Sequence, residues 1–299
     1  MTIVTLVQML FTIMSIFIAV AFFSLLERKM LSISQNREGP NKIVLKGFSQ
    51  PIGDAIKLLS KSTSLPNLGF YSVYTLGPLA LLSINTFLWI TTPFLSKFIH
   101  FNHSGMVMLL ILSVTALPTI YSGWFSNSTF STMGAIRSVA QSLSFEITFS
   151  FSLFISFLMI QSLCLENLPK FQSWSWLFWC IPWISLVTLI CFLAESGRSP
   201  FDLPEGESEL VSGYTIEFGG LHYTLIFLGE NLAVMFMTMI FSTTYLGGFS
   251  LWKASMLVLI IVMIRSSYPR IRYDQLMQLN WVGILPQLIS SVWIISILS

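Results

Sequence analysis

The chain has 299 residues, 15 of them Lys or Arg and 13 Asp or Glu, so that 9% are charged, 54% are hydrophobic and the formal net charge is +2. Soluble domains carry about 25% charged residues, so a fold bathed in water on all sides is excluded. The near balance of charge, without a Lys/Arg run, excludes nucleic acid as a partner. Cys164, Cys180 and Cys191 have the spacing of neither a disulfide framework nor a metal site, and no metal is expected.

A helix satisfies its own backbone in lipid and needs about 20 mainly apolar residues to cross roughly 30 Å of hydrocarbon. The charge-poor stretches therefore predict one all-α polytopic membrane domain with about eight transmembrane helices, near 3–26, 71–95, 105–125, 139–163, 174–194, 219–243, 247–265 and 283–298. The first lacks a basic n-region and a cleavage site and reads as a retained anchor. The fourth and sixth are each interrupted by one carboxylate, Glu146 and Glu230. Only 11 uncharged residues separate Lys253 from Arg265, about 17 Å of helix, so the seventh must include Lys253. Its ammonium either snorkels to the outer headgroups or turns inward onto a carboxylate or carbonyls.

With eight spans, the odd-numbered loops share a side and hold 12 of the 15 basic residues. The positive-inside rule puts these loops in the cytoplasm or matrix and both termini opposite. The informative loops on that side are 27–69, 195–217 and 266–282. In the first, Ile52, Ala55, Ile56 and Leu59 recur at helical spacing after Pro51, with Asp54, Lys57 and Lys61 largely opposite. This short amphipathic helix is expected to lie in the headgroup plane, as a brace or as a lip over a lateral opening. The second gathers Glu195, Asp202, Glu205, Glu207 and Glu209 against a single Arg198, and its glycines and prolines make it a shaped loop. Glu217 follows. Ionisable groups at membrane depth are costly and point to function. Glu146 and Glu230 fall in the same half of the bilayer as the acidic loop.

No nucleotide fingerprint, P-loop or zinc spacing is present, and His100, His103 and His222 offer no haem pair. Any redox centre is expected on partner chains. Intramembrane carboxylates also suit a secondary transporter, although the internal repeats and interrupted helices usual there are not visible.

Several loop sequences resemble the family of the first membrane chain of respiratory NADH:ubiquinone oxidoreductase, complex I, in its mitochondrially encoded branch. The resemblance rests on Leu26-Glu-Arg-Lys29, Gly39-Pro-Asn41, Gln50-Pro51 with Asp54-Ala55 and Lys57, and Arg137-Ser-Val-Ala-Gln141 with Phe145-Glu146. Its longest blocks are Pro200-Phe-Asp-Leu-Pro-Glu-Gly-Glu-Ser-Glu-Leu-Val-Ser-Gly213 and Tyr268-Pro-Arg-Ile-Arg-Tyr-Asp-Gln-Leu-Met277. It implies a subunit of the mitochondrial inner membrane that builds the tunnel for its substrate, ubiquinone. FMN and iron–sulfur clusters would lie on partner subunits only. The implied partners are the matrix-arm quinone-site subunits, the membrane-arm pump subunits and membrane lipid. The family's tunnel positions correspond to Glu27, Arg28, Arg37, Asp54, Arg137, Arg198 and Asp202. Its proton or charge relay falls on Glu146, Glu195, Glu205, Glu209, Glu217 and Glu230. Gly229-Glu230-Asn231 stands where the family often has Ala-Glu-Tyr, which changes a carboxylate's neighbours. A membrane subunit of a related hydrogenase is the alternative within the same resemblance.

Overall fold

Every regular element among the described residues (3–41, 44–63, 71–92, 101–202 and 213–298 of a computed structural model) is helical. The principal helices are α1 (Ile3–Ser34), α2 (Gln50–Ser60), α3 (Tyr71–Ile90), α4 (Ser104–Val114), α5 (Ala116–Phe125), α6 (Thr129–Ile160), α7 (Pro182–Glu195), α8 (Gly220–Tyr245), α9 (Leu251–Ser267), α10 (Tyr273–Gln278) and α11 (Leu285–Leu298). A π turn over Leu279–Ile284 joins α10 to α11. Among the described residues, six helical stretches are long and apolar enough to cross a membrane: α1, α3, α4 with α5, α6, α8, and α10 through α11. The chain is an all-α polytopic membrane protein. The apolar α7 has 14 residues, and α9 has 17 with Lys253 and Arg265 near its ends.

The helices depart from the charge-free stretches in an orderly way. α1 continues to Ser34, α6 starts at Thr129 rather than near 139, and the last helical stretch starts at Tyr273 rather than near 283. Charge marks where a chain leaves hydrocarbon, but the backbone ladder continues into the headgroup zone, where polar side chains are at no disadvantage. Arg137 therefore stands on α6 and not in a loop. α7 differs the other way, starting at Pro182 instead of near 174. Proline lacks the N–H that the first helical residue leaves unused anyway, and the preceding stretch, with exposed Trp174 and Trp179, suits a membrane interface.

α8 is the axis of the bundle. In its most apolar window 67% of residues are buried, against 22% for α1. α8 packs on α1, α2, α3 and α9, while α6 packs on α5, α7 and α11. Ser144, Thr148, Ser152 and Ser156 form a buried stripe every fourth residue along α6. Small side chains let helices approach closely in lipid, where no hydrophobic effect drives them together. Each hydroxyl is satisfied by the carbonyl three residues earlier. Neighbouring helices add their own hydrogen bonds to this stripe: the Asn280 amide donates to the Ser144 carbonyl at 2.7 Å and the Tyr245 hydroxyl to that of Ser152 at 3.3 Å.

The α5–α6 contact is closest at Gly123, where an added Cβ would lie 2.1 Å from the Ala135 Cβ and 3.0 Å from the Ser131 carbonyl oxygen. Neither neighbour is a flexible chain end. Gly123→Val is expected to destabilise the protein by about 1–3 kcal/mol through overpacking. A lowered thermal midpoint in detergent would register this, with Gly53→Ala, which meets nothing within 4 Å, as the matched control.

At the opposite end of α8, Gly247 and Gly248 take positive φ angles of 74° and 102°, turning the chain into α9. Lys253 reaches back over this turn. Its ammonium donates to the carbonyls of Leu246 at 2.5 Å and Gly248 at 3.5 Å, and lies 5.0 Å from the centre of the Trp176 ring. Lys253 is half-buried and bound to the carbonyls of this turn. It caps the carbonyl end of α8, where the helix dipole favours a cation.

Candidate functional site

Three apolar residues of α2 face away from the protein, while Pro51 and Leu58 turn towards it. Ile52, Ile56 and Leu59 are each at least 60% exposed, as expected of a helix lying in the membrane surface. The other side turns Asp54 towards α1, where Arg28 Nη1 donates to its carboxylate at 2.7 Å. α1, α2 and α8 thereby enclose a cleft of about 350 Å³, bordered by Arg28, Asp54, Lys61, Tyr223 and Phe227. It combines apolar walls with a charged pair.

Glu27, next in sequence to Arg28, points into the protein and is only 8% exposed. Its carboxylate lies 3.3 Å from Arg265 Nη1 of α9 and 4.0 Å from Arg198 Nε. Arg198 follows α7 through Gly197, whose φ of +58° suits glycine at a helix C-terminus. The guanidinium continues to α8, donating to Asn231 Oδ1 at 2.5 Å. Two anchors hold this loop. Gln141 Nε2 of α6 donates to the carbonyls of Ala194 at 2.8 Å and Phe201 at 2.7 Å, and Ile271 N donates to that of Pro200 at 3.1 Å. Asp202, also buried, pairs with Arg270 at 3.1 Å. Gln141→Leu would leave two buried carbonyls without this donor. An expected loss of about 1–3 kcal/mol should lower the thermal midpoint and loosen Arg198, readable as faster proteolysis of the 195–202 loop.

Beyond Arg198 lies a cavity of about 130 Å³ between α3, the α4–α5 junction, α6, α7 and α8. Glu195, Arg198, Tyr214, Glu230, Asn85 and Gln141 contribute its polar lining. The Tyr214 hydroxyl donates to a Glu230 carboxylate oxygen, and Glu195 has a buried oxygen aimed into the protein. A polar cavity of this size has room for water, which occupies about 30 Å³ per molecule in the liquid. Ionisable side chains and water together can pass a proton.

Six of the residues implied by the resemblance meet in pairs along this route. Arg28 and Asp54 meet at the cleft, Glu27 and Arg198 meet in the ion cluster, and Glu195 and Glu230 share the cavity. Glu146 is half-buried on α6, close enough for its charge to act on Glu195. Glu217 is half-buried at the start of α8, its carbonyl accepting from Tyr74 at 2.8 Å. Arg137 is half-buried on α6, and Arg37 is exposed beyond α1. Glu205 and Glu209 lie outside the described residues. Arg265 and Tyr214 complete the cluster without having been singled out, together with Asn231, which the sequence marked only as a departure beside Glu230. Asn231 adjoins Glu230 at membrane depth, which was a usable signal; nothing in the sequence pairs Arg265 with Glu27.

The fold and site define a class, that of helical membrane proteins in which ionisable groups run from a surface cleft to a buried polar cavity. The chain belongs to the NADH dehydrogenase family, whose model matches residues 7–297. It is 36% identical over 288 residues to NADH-ubiquinone oxidoreductase chain 1 of Aedes aegypti, covering 94% of this chain and 92% of the mosquito one. The chain 1 proteins of Artemia franciscana (39% identity; 91% of each chain) and Emballonura alecto (38%; 98% and 96%) are similar to the same extent.

Proposed function

We propose that this chain is the membrane subunit that admits ubiquinone to a proton-pumping NADH:ubiquinone oxidoreductase and passes the effect of quinone reduction into the membrane arm. The observation that carries the reading is the succession of charged and polar groups. From the Arg28–Asp54 pair at the cleft, α1 leads to Glu27, and Glu27 to Arg198, Asn231, Glu230 and Tyr214 at the cavity. A long-tailed quinone needs an apolar passage open to the bilayer with a polar end, and the cleft behind α2 has both features. Reduction of the quinone consumes two electrons and two protons. The electrons would arrive from FMN and iron–sulfur clusters on matrix-arm subunits; the carboxylates here can supply or respond to protons. In this reading α7 and α9 also cross the mitochondrial inner membrane, giving eight spans with both termini on the intermembrane-space side. Glu205 and Glu209 would extend the relay, and Arg37, Arg137 and Asp202 would border the tunnel.

The test separates a site from a scaffold. Asp54→Ala or Arg28→Ala should lower quinone-linked turnover about tenfold or more by misplacing the headgroup. NADH oxidation by an artificial acceptor at the flavin should persist. Equal loss of both activities would mean that the chain acts through assembly alone.

A further inference from the structure

Arg198 is the one cation that both lies beside Glu27 and lines the Glu230 cavity among the described residues. Its hold on Glu27 is loose. The Nε–Oε1 separation is 4.0 Å, no hydrogen bond is made by Nε, and the same Glu27 oxygen lies nearer Arg265. Its hold on Asn231 is tight: the contact is 2.5 Å, and Asn231 is fully buried. The Asn231 amide cannot turn away, because its Nδ2 donates to the Phe227 carbonyl one helical turn earlier at 2.9 Å. That bond presents Oδ1, and not the amide nitrogen, to the guanidinium.

We propose that Asn231 is a positioning residue, which holds the Arg198 guanidinium between the Glu27 and Glu230 carboxylates so that its charge is shared by both. A neutral acceptor suits this task. A carboxylate at 231 would neutralise Arg198 outright, and an apolar residue would release it to Glu27, the one carboxylate with which it forms an ion pair among the described residues. Held as it is, the guanidinium can shift towards whichever carboxylate carries charge. A protonation change on the cleft side would then be felt at Glu230 without a proton having to travel the whole distance. Among the described residues, Tyr214, Arg198 and Asp202 act on Glu230 and Glu195 shares its cavity, and Arg198 is the cation among them.

This inference rests on the relay reading given under the proposed function, and the experiment keeps the two apart. In the intact complex, Asn231→Leu removes the acceptor while keeping the branched shape, Asn231→Asp replaces it by a charge, and Asn231→Gln keeps an amide. The Leu and Asp variants should each lower quinone-linked turnover about tenfold, the scale of one hydrogen bond to a charged group. KM for a short-tailed quinone and flavin-level NADH oxidation should stay unchanged. Their pH profiles should move to higher pH, because a carboxyl that loses the field of a nearby cation holds its proton more strongly. Asn231→Gln should recover part of the turnover and shift the profile less. A purely structural role would lower activity in proportion to assembled complex and leave the pH profile in place, which would overturn the proposal. Should Asn231→Leu not assemble, Asn231→Asp alone decides, since an unmoved profile there overturns it equally. Loss of pumping in Glu230→Gln with unaltered Asn231 variants would sink this inference only. Normal pumping in both Glu230→Gln and Glu146→Gln would sink the relay itself.

Discussion

Glu230→Gln is expected to lower quinone-linked turnover and proton pumping by about 100-fold or more, the scale of removing a positioned proton-transfer group, while the complex still assembles. Glutamine keeps the length and shape of the side chain and an oxygen able to accept from the Tyr214 hydroxyl. What disappears is the negative charge and the exchangeable proton, at a site lining the central cavity on the most buried helix. Glu146→Gln is the informative comparison. Glu146 is half-buried and its charge acts on Glu195, so its loss should weaken pumping less. Protons translocated per electron in reconstituted vesicles measure the difference. Unchanged pumping in both variants would leave the carboxylates as structural polar residues and end the relay reading.

How much of this could be read from the sequence depends on the range of the interaction involved. The surface helix was legible because its period is local: Ile52, Ala55, Ile56 and Leu59 repeat within one element. Glu230 was legible because a carboxylate in an apolar stretch is costly wherever its partner lies. Helix ends were less so. The hydrocarbon boundary controls where charge can appear, whereas Pro182 and the ladder that continues through Arg137 control where α7 and α6 begin. The sites of ion pairing were least legible. Arg265 stood out only as the last residue before a loop, and its contact with Glu27 is set by how α9 packs on α1. Arg37 entered the tunnel set through the resemblance alone, since an exposed arginine beyond the end of α1 has no local pattern to mark it.

That packing gives Glu27→Gln the largest expected effect on stability. The carboxylate answers two guanidiniums at once, Arg265 at 3.3 Å and Arg198 at 4.0 Å. With glutamine in its place, two cations face one another without a countercharge. Arg265 is 30% exposed and can recover water, but Arg198 is only 12% exposed and bound to a buried asparagine. Removing one member of a buried ion pair typically costs about 3–5 kcal/mol, because the survivor stays desolvated; with one of the two cations partly screened, the lower end is expected. On a fold of ordinary marginal stability this should appear as a lower yield of assembled complex and a depressed thermal midpoint. Adding Arg198→Gln to Glu27→Gln removes the stranded charge, so the double variant should be more stable than the two single effects added together. A coupling of roughly 1–3 kcal/mol is expected for residues in one ion network. Strict additivity would mean that the 4.0 Å contact contributes nothing, and that Arg265 alone keeps Glu27 in place.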